Sequence, residues 1–424
     1  AVLPQPLRGR HSASAQCGPV RKGAPLFRSA AAMQAAKRRR TGWLREEECS
    51  LAEFRDIVEQ RCCQSEYPLA SEVVSGVLVY DRQQLPLGDD QTSRALTAEW
   101  AEALSDGPGV ICIRGAFAGE MSELDDVTDA FHAIIEEEKA AGTAKGDHFA
   151  KGGANSRIWN ALEKLAVRSP KAFVGYYSNP IIALASRAWL GPNYQVTSQV
   201  NVVRPGSEAQ AVHRDYHLGF TTNSVAEEYP MQVHAYVSPM LTLQGAVAHG
   251  PMPLESGPTL FLPHSQKYDL GYLAWRRQEF KDYFAQHSVQ VPLAKGDAVF
   301  FNPALFHAAG NNTTSDVHRI ANLLQVSSAM GRAMEAVDRA RVSLAIYPSL
   351  LELSKGSGAR RLRDAIAAAA EGYAFPTNLD LDQPIGGLAP ESQAQLLARA
   401  VEERWDEREL ARKMGQHEAR RRSQ

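Results

Sequence analysis

Lys295-Gly296-Asp297-Ala298-Val299-Phe300-Phe301 joins a tight polar turn to four apolar residues, a run too short for a helix and typical of a buried strand. The same unit recurs on both sides of it. Toward the N-terminus residues 289–292, 259–262, 241–247, 232–237 and 194–203 are strand-like, and toward the C-terminus so are 320–326. Pro, Gly and Asn turns separate these runs, and one helical stretch, 270–286, interrupts them. Many short strands with turn punctuation predict a rolled or sandwiched sheet rather than a βαβ array.

Outside this region the spacing of apolar residues predicts helices over 51–61, 96–104 and 121–140, with strands over 73–80 and 109–114. After Gly331 the pattern is helical again, with an Ala-rich stretch at 365–370 and a charged final helix from Glu391 to about Arg420. The mixed charges of that last helix suit a surface helix packed on the barrel or on a second subunit, a homodimer through the terminal helices.

Hydrophobic residues at 44% and charged residues at 22% allow a sizeable core, and no apolar run approaches the length of a membrane span. The five cysteines (Cys17, Cys49, Cys62, Cys63, Cys112) are odd in number and show no C-x-x-C spacing. They predict no disulfide framework and a reducing compartment, hence an intracellular, cytoplasmic protein. The net charge of −2 hides a leader: residues 1–40 carry nine Lys or Arg and no acid, which leaves −11 for the remainder. Such a leader is read as a disordered tail, with organelle targeting as the alternative. The acidic remainder offers no basic stripe for nucleic acid. The expected division is a basic leader at 1–45, a catalytic domain at 46–345 with its β core at about 190–330, and a helical extension at 346–424.

His213 and Asp215 in Ala211-Val212-His213-Arg214-Asp215 are two apart, so on a strand their side chains share a face. An imidazole and a carboxylate so placed are two thirds of the facial triad that binds non-haem Fe(II). Alone the pair says little, because twelve histidines in a chain with 48 acidic residues predict about one such pair by chance. The long-range pattern adds to it: His307 follows 94 residues later, just past the strand at 298–301, and Arg319 follows it by twelve across Gly310-Asn311-Asn312. A planar guanidinium there suits bidentate capture of a carboxylate.

With these residues the chain resembles the phytanoyl-CoA dioxygenase (PhyH-type) family of Fe(II)/2-oxoglutarate oxygenases. The matching segments are Gln199-Val200-Asn201 through Pro205 ahead of His213-Arg214-Asp215, then the run from Glu255 to Ser265, then Lys295 to Phe301, then His307 through Arg319, all within about 145–330. The resemblance implies a double-stranded β-helix, or jelly roll, flanked by N- and C-terminal helices. It implies Fe(II) held by His213, Asp215 and His307, and 2-oxoglutarate held by Arg319 with contacts from Gln199 and Asn201. With O2 as the other co-substrate, it implies hydroxylation of an unactivated carbon of a small molecule (a lipid, acyl thioester or secondary metabolite) with release of succinate and CO2. Asp215 favours hydroxylation, because halogenating relatives leave that position small. The rival readings are a catalytically silent metal-binding jelly-roll scaffold and a JmjC-like hydroxylase of macromolecules.

Other residues near the motif are weighed the same way. His217 is expected to line the pocket, and His249, His264 and His318 to be structural. Tyr216, Phe220, Trp159 and Trp275 are read as core before substrate wall, and Lys151, Arg157 and Arg204 as solvated before anion-binding.

Overall fold

The computed structural model describes residues 42–144, 155–356 and 358–423. Most of the expected leader, with Cys17, and the candidate Lys151 lie outside the described residues.

Ten strands form: β1 Glu72–Val74, β2 Val77–Asp81, β3 Val110–Arg114, β4 Ser156–Ile158, β5 Gln195–Val203, β6 Thr242–Ala248, β7 Thr259–Leu262, β8 Ala298–Phe301, β9 Phe306–Ala309 and β10 Arg319–Ser327. Eight of them make one sheet in the order β1-β2-β3-β8-β6-β10-β5-β4, and β7 pairs with β9 in a second. Single bridges widen the second layer on both sides, His213 to His307 beside β9 and Phe261 to Val289 beside β7. Followed along the chain, β5 lies in the first layer, the 213 segment in the second, β6 in the first, β7 and the 289 segment in the second, β8 in the first, β9 in the second and β10 in the first. This alternation is the double-stranded β-helix, and its strands are the short apolar runs of the sequence.

Pairing register fixes what each face does. Arg319, Ala321, Leu323 and Gln325 of β10 stand opposite Val203, Asn201, Gln199 and Thr197 of β5, and all four β10 residues point into the roll. Their neighbours Ile320, Leu324 and Val326 point outward and bury against helices. The helix Met121–Ala140 supplies Leu124, Val127, Phe131, Ile134 and Ile135 to that packing, spaced three and four apart so that one face meets the sheet. A one-residue slip of β10 would exchange the two sets.

Three expectations are corrected. Residues 232–237 are not a strand: Val233–Val237 is a π-helical turn running into Ser238–Met240. The segment has no strand beside it, so its backbone bonds close locally, and the alternation of apolar residues instead leaves Tyr236 and Val237 exposed. The single strand expected at 73–80 is a hairpin, β1 and β2, folded at Ser75-Gly76 with φ of 52° and 85°. The long final helix is two, Gln393–Glu402 and Glu407–Arg421, broken where Arg404 takes φ 53° and Asp406 caps the second. Both pack on the helix Arg339–Leu353 of the same chain, and the first of them on Ala359–Ala369 as well, which covers their apolar faces.

Behind the sheet runs a buried polar chain. Thr128 Oγ1 meets His249 Nδ1 at 2.8 Å, His249 Nε2 meets Tyr176 Oη at 3.1 Å, and Asn322 Nδ2 donates to Tyr176 Oη at 3.1 Å. His249 is thus structural, as expected. Burial pulls its pKa down to about 3, with the Lys295 ammonium and His132 adding to the effect. An unfolded histidine titrates near 6.5. Below that pH the unfolded chain binds a proton that the folded chain refuses, so stability falls as pH falls, by up to about 1.4 kcal/mol per unit. His264, drawn down to about 4, titrates in the same window, so the contrast must be read between variants. His249→Gln is expected to show a shallower loss of unfolding free energy than the wild type between pH ~6.5 and ~5. Equal slopes in denaturant titrations would remove His249 from this role.

Candidate active site

The site is built on one strand-to-strand contact. His213 N–H donates to His307 O at 3.0 Å and His307 N–H to His213 O at 3.1 Å, while Asp215 N–H donates to Pro303 O at 3.0 Å. The alternation along this extended segment turns His213 and Asp215 inward and Arg214 outward. The ligand atoms of His213, Asp215 and His307 all lie within 4.8 Å of one another, the one such group of His, Cys, Asp or Glu among the described residues. Asp215 stands between the two rings, 3.8 Å from His213 Nε2 and 3.5 Å from His307 Nε2.

Each imidazole is oriented by its own strand. His213 Nδ1 bonds Ala211 O and His307 Nδ1 bonds Leu305 O, both at 2.8 Å. A carbonyl accepts only, so Nδ1 carries the proton and the Nε2 lone pair of both rings faces Asp215. Gln244 Nε2 donates to Asp215 Oδ2 at 2.6 Å. Burial works to raise the Asp215 pKa, but the facing histidines and the Gln244 amide outweigh it and hold the carboxyl below the usual range. Burial, then the neighbouring His307, lowers His213. Both directions favour a neutral ring beside a carboxylate, the protonation state in which these groups bind a metal.

The space they face is a cavity of about 590 Å³, lined on the sheet side by Gln199, Asn201, Gln244, Ala246, Val299, Phe301, Arg319, Leu323 and Gln325. Arg319 opens β10 and is buried; its guanidinium donates to Gly257 O and has no carboxylate partner among the described residues. Burial lowers its pKa to about 10, which leaves it charged at neutral pH. The Gly257 turn admits nothing larger, because at φ 71° a Cβ would fall 2.3 Å from Asn311 O. Asn201 Oδ1 is buried with no hydrogen-bond partner among the described residues. Gln199 Oε1 accepts from Arg157 at 3.1 Å.

The sequence profile described as Phytanoyl-CoA dioxygenase (PhyH) matches residues 94–321, just over half of the chain and a span that contains every residue of this constellation. The chain belongs to the phytanoyl-CoA dioxygenase family. Members of this family are 2-oxoglutarate-dependent non-haem iron enzymes, and this one is a dioxygenase that uses Fe(II) and 2-oxoglutarate. The donor set suits that pair: two imidazole nitrogens and one carboxylate are the ligand chemistry of non-haem Fe(II), and the buried guanidinium of Arg319 suits a carboxylate of the co-substrate. Among solved structures the chain is similar to the non-haem α-ketoglutarate-dependent epimerase SnoN of nogalamycin biosynthesis, at 20% identity and TM-score 0.39 over 56% of this chain and 82% of that one. It is also similar to the carbocyclase SnoK of the same biosynthesis, at 22% and 0.37 over 54% and 83%. A third is EctD from S. alaskensis, at 18% and 0.39 over 56% and 78%. No curated protein matches the chain.

The cavity gathers all six residues singled out in the sequence: His213, Asp215, His307, Arg319, Gln199 and Asn201. It also corrects the surrounding expectations. Tyr216, Phe220 and Trp275 line it as a wall rather than serving only as core, while Trp159 and His217 do not line it. Arg157 lines it and Arg204, exposed, does not. Gln244 and Gln325 were missed in the sequence. The signal lay in their setting, each a polar side chain in a buried strand and in step with cavity residues.

Arg214 shows how this dioxygenase fixes the motif from behind. Its buried guanidinium donates to Ser265 O and, at 3.1 Å, to Tyr268 O, and it lies 5.0 Å from the Tyr272 ring and 5.3 Å from the Phe306 ring. A Cβ on Gly271 would fall 1.9 Å from its Cζ, so the sequence keeps glycine there. Arg214→Ala is expected to cost about 3 kcal/mol or more, since it strands two buried carbonyls and leaves a void. A chemical denaturation midpoint within experimental error of wild type would refute this anchor.

Proposed function

We propose that the enzyme hydroxylates an unactivated carbon of a small, largely apolar molecule, with His213, Asp215 and His307 as the iron ligands and Arg319 as the clamp on the remote carboxylate of 2-oxoglutarate. The observation that carries this is the convergence of the three ligand atoms within 4.8 Å at the wall of a cavity that also holds a buried guanidinium without a carboxylate partner among the described residues. When bound, iron and 2-oxoglutarate supply an oxidant from O2, with succinate and CO2 as by-products.

The chain's own residues provide geometry. Leu305 O and Ala211 O keep both Nε2 atoms aimed at one point, and Gln244 fixes the rotation of the Asp215 carboxylate, the supporting hydrogen bonds that tune an open metal site. As an iron ligand Asp215 would take up a position that a halide would otherwise need, which favours hydroxylation. Arg319 and Asn201 stand on adjacent strands, two positions apart in register, so the clamp and a second polar contact reach one dicarboxylate. Ala246, Val299, Phe301 and Leu323 keep the floor of the cavity apolar and exclude water from the reacting carbon.

His213→Ala, Asp215→Ala and His307→Ala are each expected to abolish succinate release from 2-oxoglutarate while thermal unfolding stays cooperative, because an open site has no ligand to spare. Near-wild-type turnover of any of the three with iron in excess would refute the triad. Arg319→Lys is expected to raise the KM for 2-oxoglutarate by roughly tenfold or more, since a point charge replaces a fork. A KM for 2-oxoglutarate that stays at the wild-type value would move the clamp to another residue.

A further inference from the structure

Two strong hydrogen-bond donors in the cavity are aimed at one weak acceptor. Tyr216 Oη lies 2.6 Å from Met334 Sδ, and Gln199 Nε2 lies 3.3 Å from the same sulfur. A thioether is a poor acceptor for either donor. Neither donor arrives by accident. Tyr216 is held with φ 45° and ψ 154°, a conformation that bulky residues avoid, and its carbonyl is pinned by Ser238 Oγ at 3.1 Å. Gln199 is fully buried and its other amide atom is fixed by the Arg157 guanidinium. Met334 belongs to the connection between β10 and the helix Arg339–Leu353 and is itself partly exposed. The donors are therefore built into the barrel wall, and the sulfur that meets them rides on a loop.

We propose that Tyr216 Oη, Gln199 Nε2 and the adjacent Arg157 form a subsite for a carbonyl or carboxylate oxygen of the substrate, and that Met334 fills this subsite until the substrate displaces it. The substrate class is an apolar molecule bearing one such oxygen, its hydrocarbon part lying against the rings of Tyr216, Phe220 and Trp275 that line the same cavity. Glu335, the next residue of the loop, closes the group from behind, its carboxyl accepting from Asn160 N–H at 2.7 Å. The assignment rests on the proposed function, and it gives the Gln199 amide to the substrate while Asn201 and Arg319 serve 2-oxoglutarate.

Calorimetry tests it on the protein loaded with Fe(II) and 2-oxoglutarate under anaerobic conditions, with decanoate, methyl decanoate and decylammonium as probes. Decanoate and its ester are expected to bind at least ~tenfold more tightly than decylammonium, which offers donors where the site already has donors. Tyr216→Phe is expected to weaken the acid and the ester by ~tenfold and leave the affinity for 2-oxoglutarate unchanged. Met334→Ala gives the sharpest contrast. A displaceable plug predicts tighter binding of decanoate once the side chain is gone, whereas a Met that serves only as apolar wall predicts weaker binding. Weaker binding in Met334→Ala, equal losses for decanoate and decylammonium in Tyr216→Phe, or no decanoate binding to either wild type or Met334→Ala would overturn the subsite. Succinate release separates this from the parent reading: a protein that binds the probes as stated but never consumes 2-oxoglutarate refutes the oxygenase function alone.

Discussion

Everything at the site depends on the pair of backbone hydrogen bonds between His213 and His307. Two segments 94 residues apart in the chain are joined there as neighbouring strands, which puts both rings on the same side of one layer. No flexible loop carries a ligand atom, so the positions of the two Nε2 atoms inherit the precision of a β-ladder. Asp215 gains the same rigidity through its own N–H bond to Pro303 O. The long loop closed by this contact is the entropic cost of the arrangement, and the jelly roll meets it by spreading the closure over four strand pairs instead of one.

The second organising feature is the division of labour between the two faces of the large sheet. Along β10 and β5 alternate residues face the cavity and the packed exterior, so Arg319 is followed by Ile320, and Asn201 by Val202. The outward set and its covering helices hold the strands in register, and register in turn decides that Arg319 and Asn201 reach the same space. Where the outward set is polar, as at Asn322 and His249, the groups are tied into one buried chain with Tyr176 and Thr128. One acceptor of the chain is left over, since Asn322 Oδ1 is buried with no hydrogen-bond partner among the described residues.

Much of this was legible in the sequence because the relevant signals are local. Short apolar runs between turn residues located β5, β6, β7, β8 and β10 within a residue or so, and the H-x-D spacing with distant His307 and Arg319, together with the family resemblance, named the constellation that the cavity gathers. The errors share a cause. Residues 232–237 alternate as well as any strand, but whether a segment pairs depends on what lies beside it, which spacing does not encode. The break at Arg404 is likewise invisible in the charge pattern, because an arginine at φ 53° is selected by the packing of two helices on a third. Gln244 was passed over for the opposite reason: it sits in a correctly located strand, and only the meeting of β6 with the 213 segment turns an ordinary polar residue into the support of Asp215.

Three of the four buried arginines separate structure from function by a count of spent donors. Arg214, Arg319 and Arg339 are each buried, and burial lowers the pKa of each to about 10. Burying a guanidinium is costly, so each must find acceptors. Arg214 has the carbonyls of Ser265 and Tyr268, and Arg339 those of Ala368 and Val196. These two tie separate parts of the chain together through backbone carbonyls. Arg319 has one carbonyl, that of Gly257, and its remaining donors border the space beside Asn201 and the His-Asp-His group. A guanidinium with five donors and one protein acceptor is incomplete as a structural element. It becomes complete with a carboxylate in front of it, which is the contact proposed above for the remote end of 2-oxoglutarate.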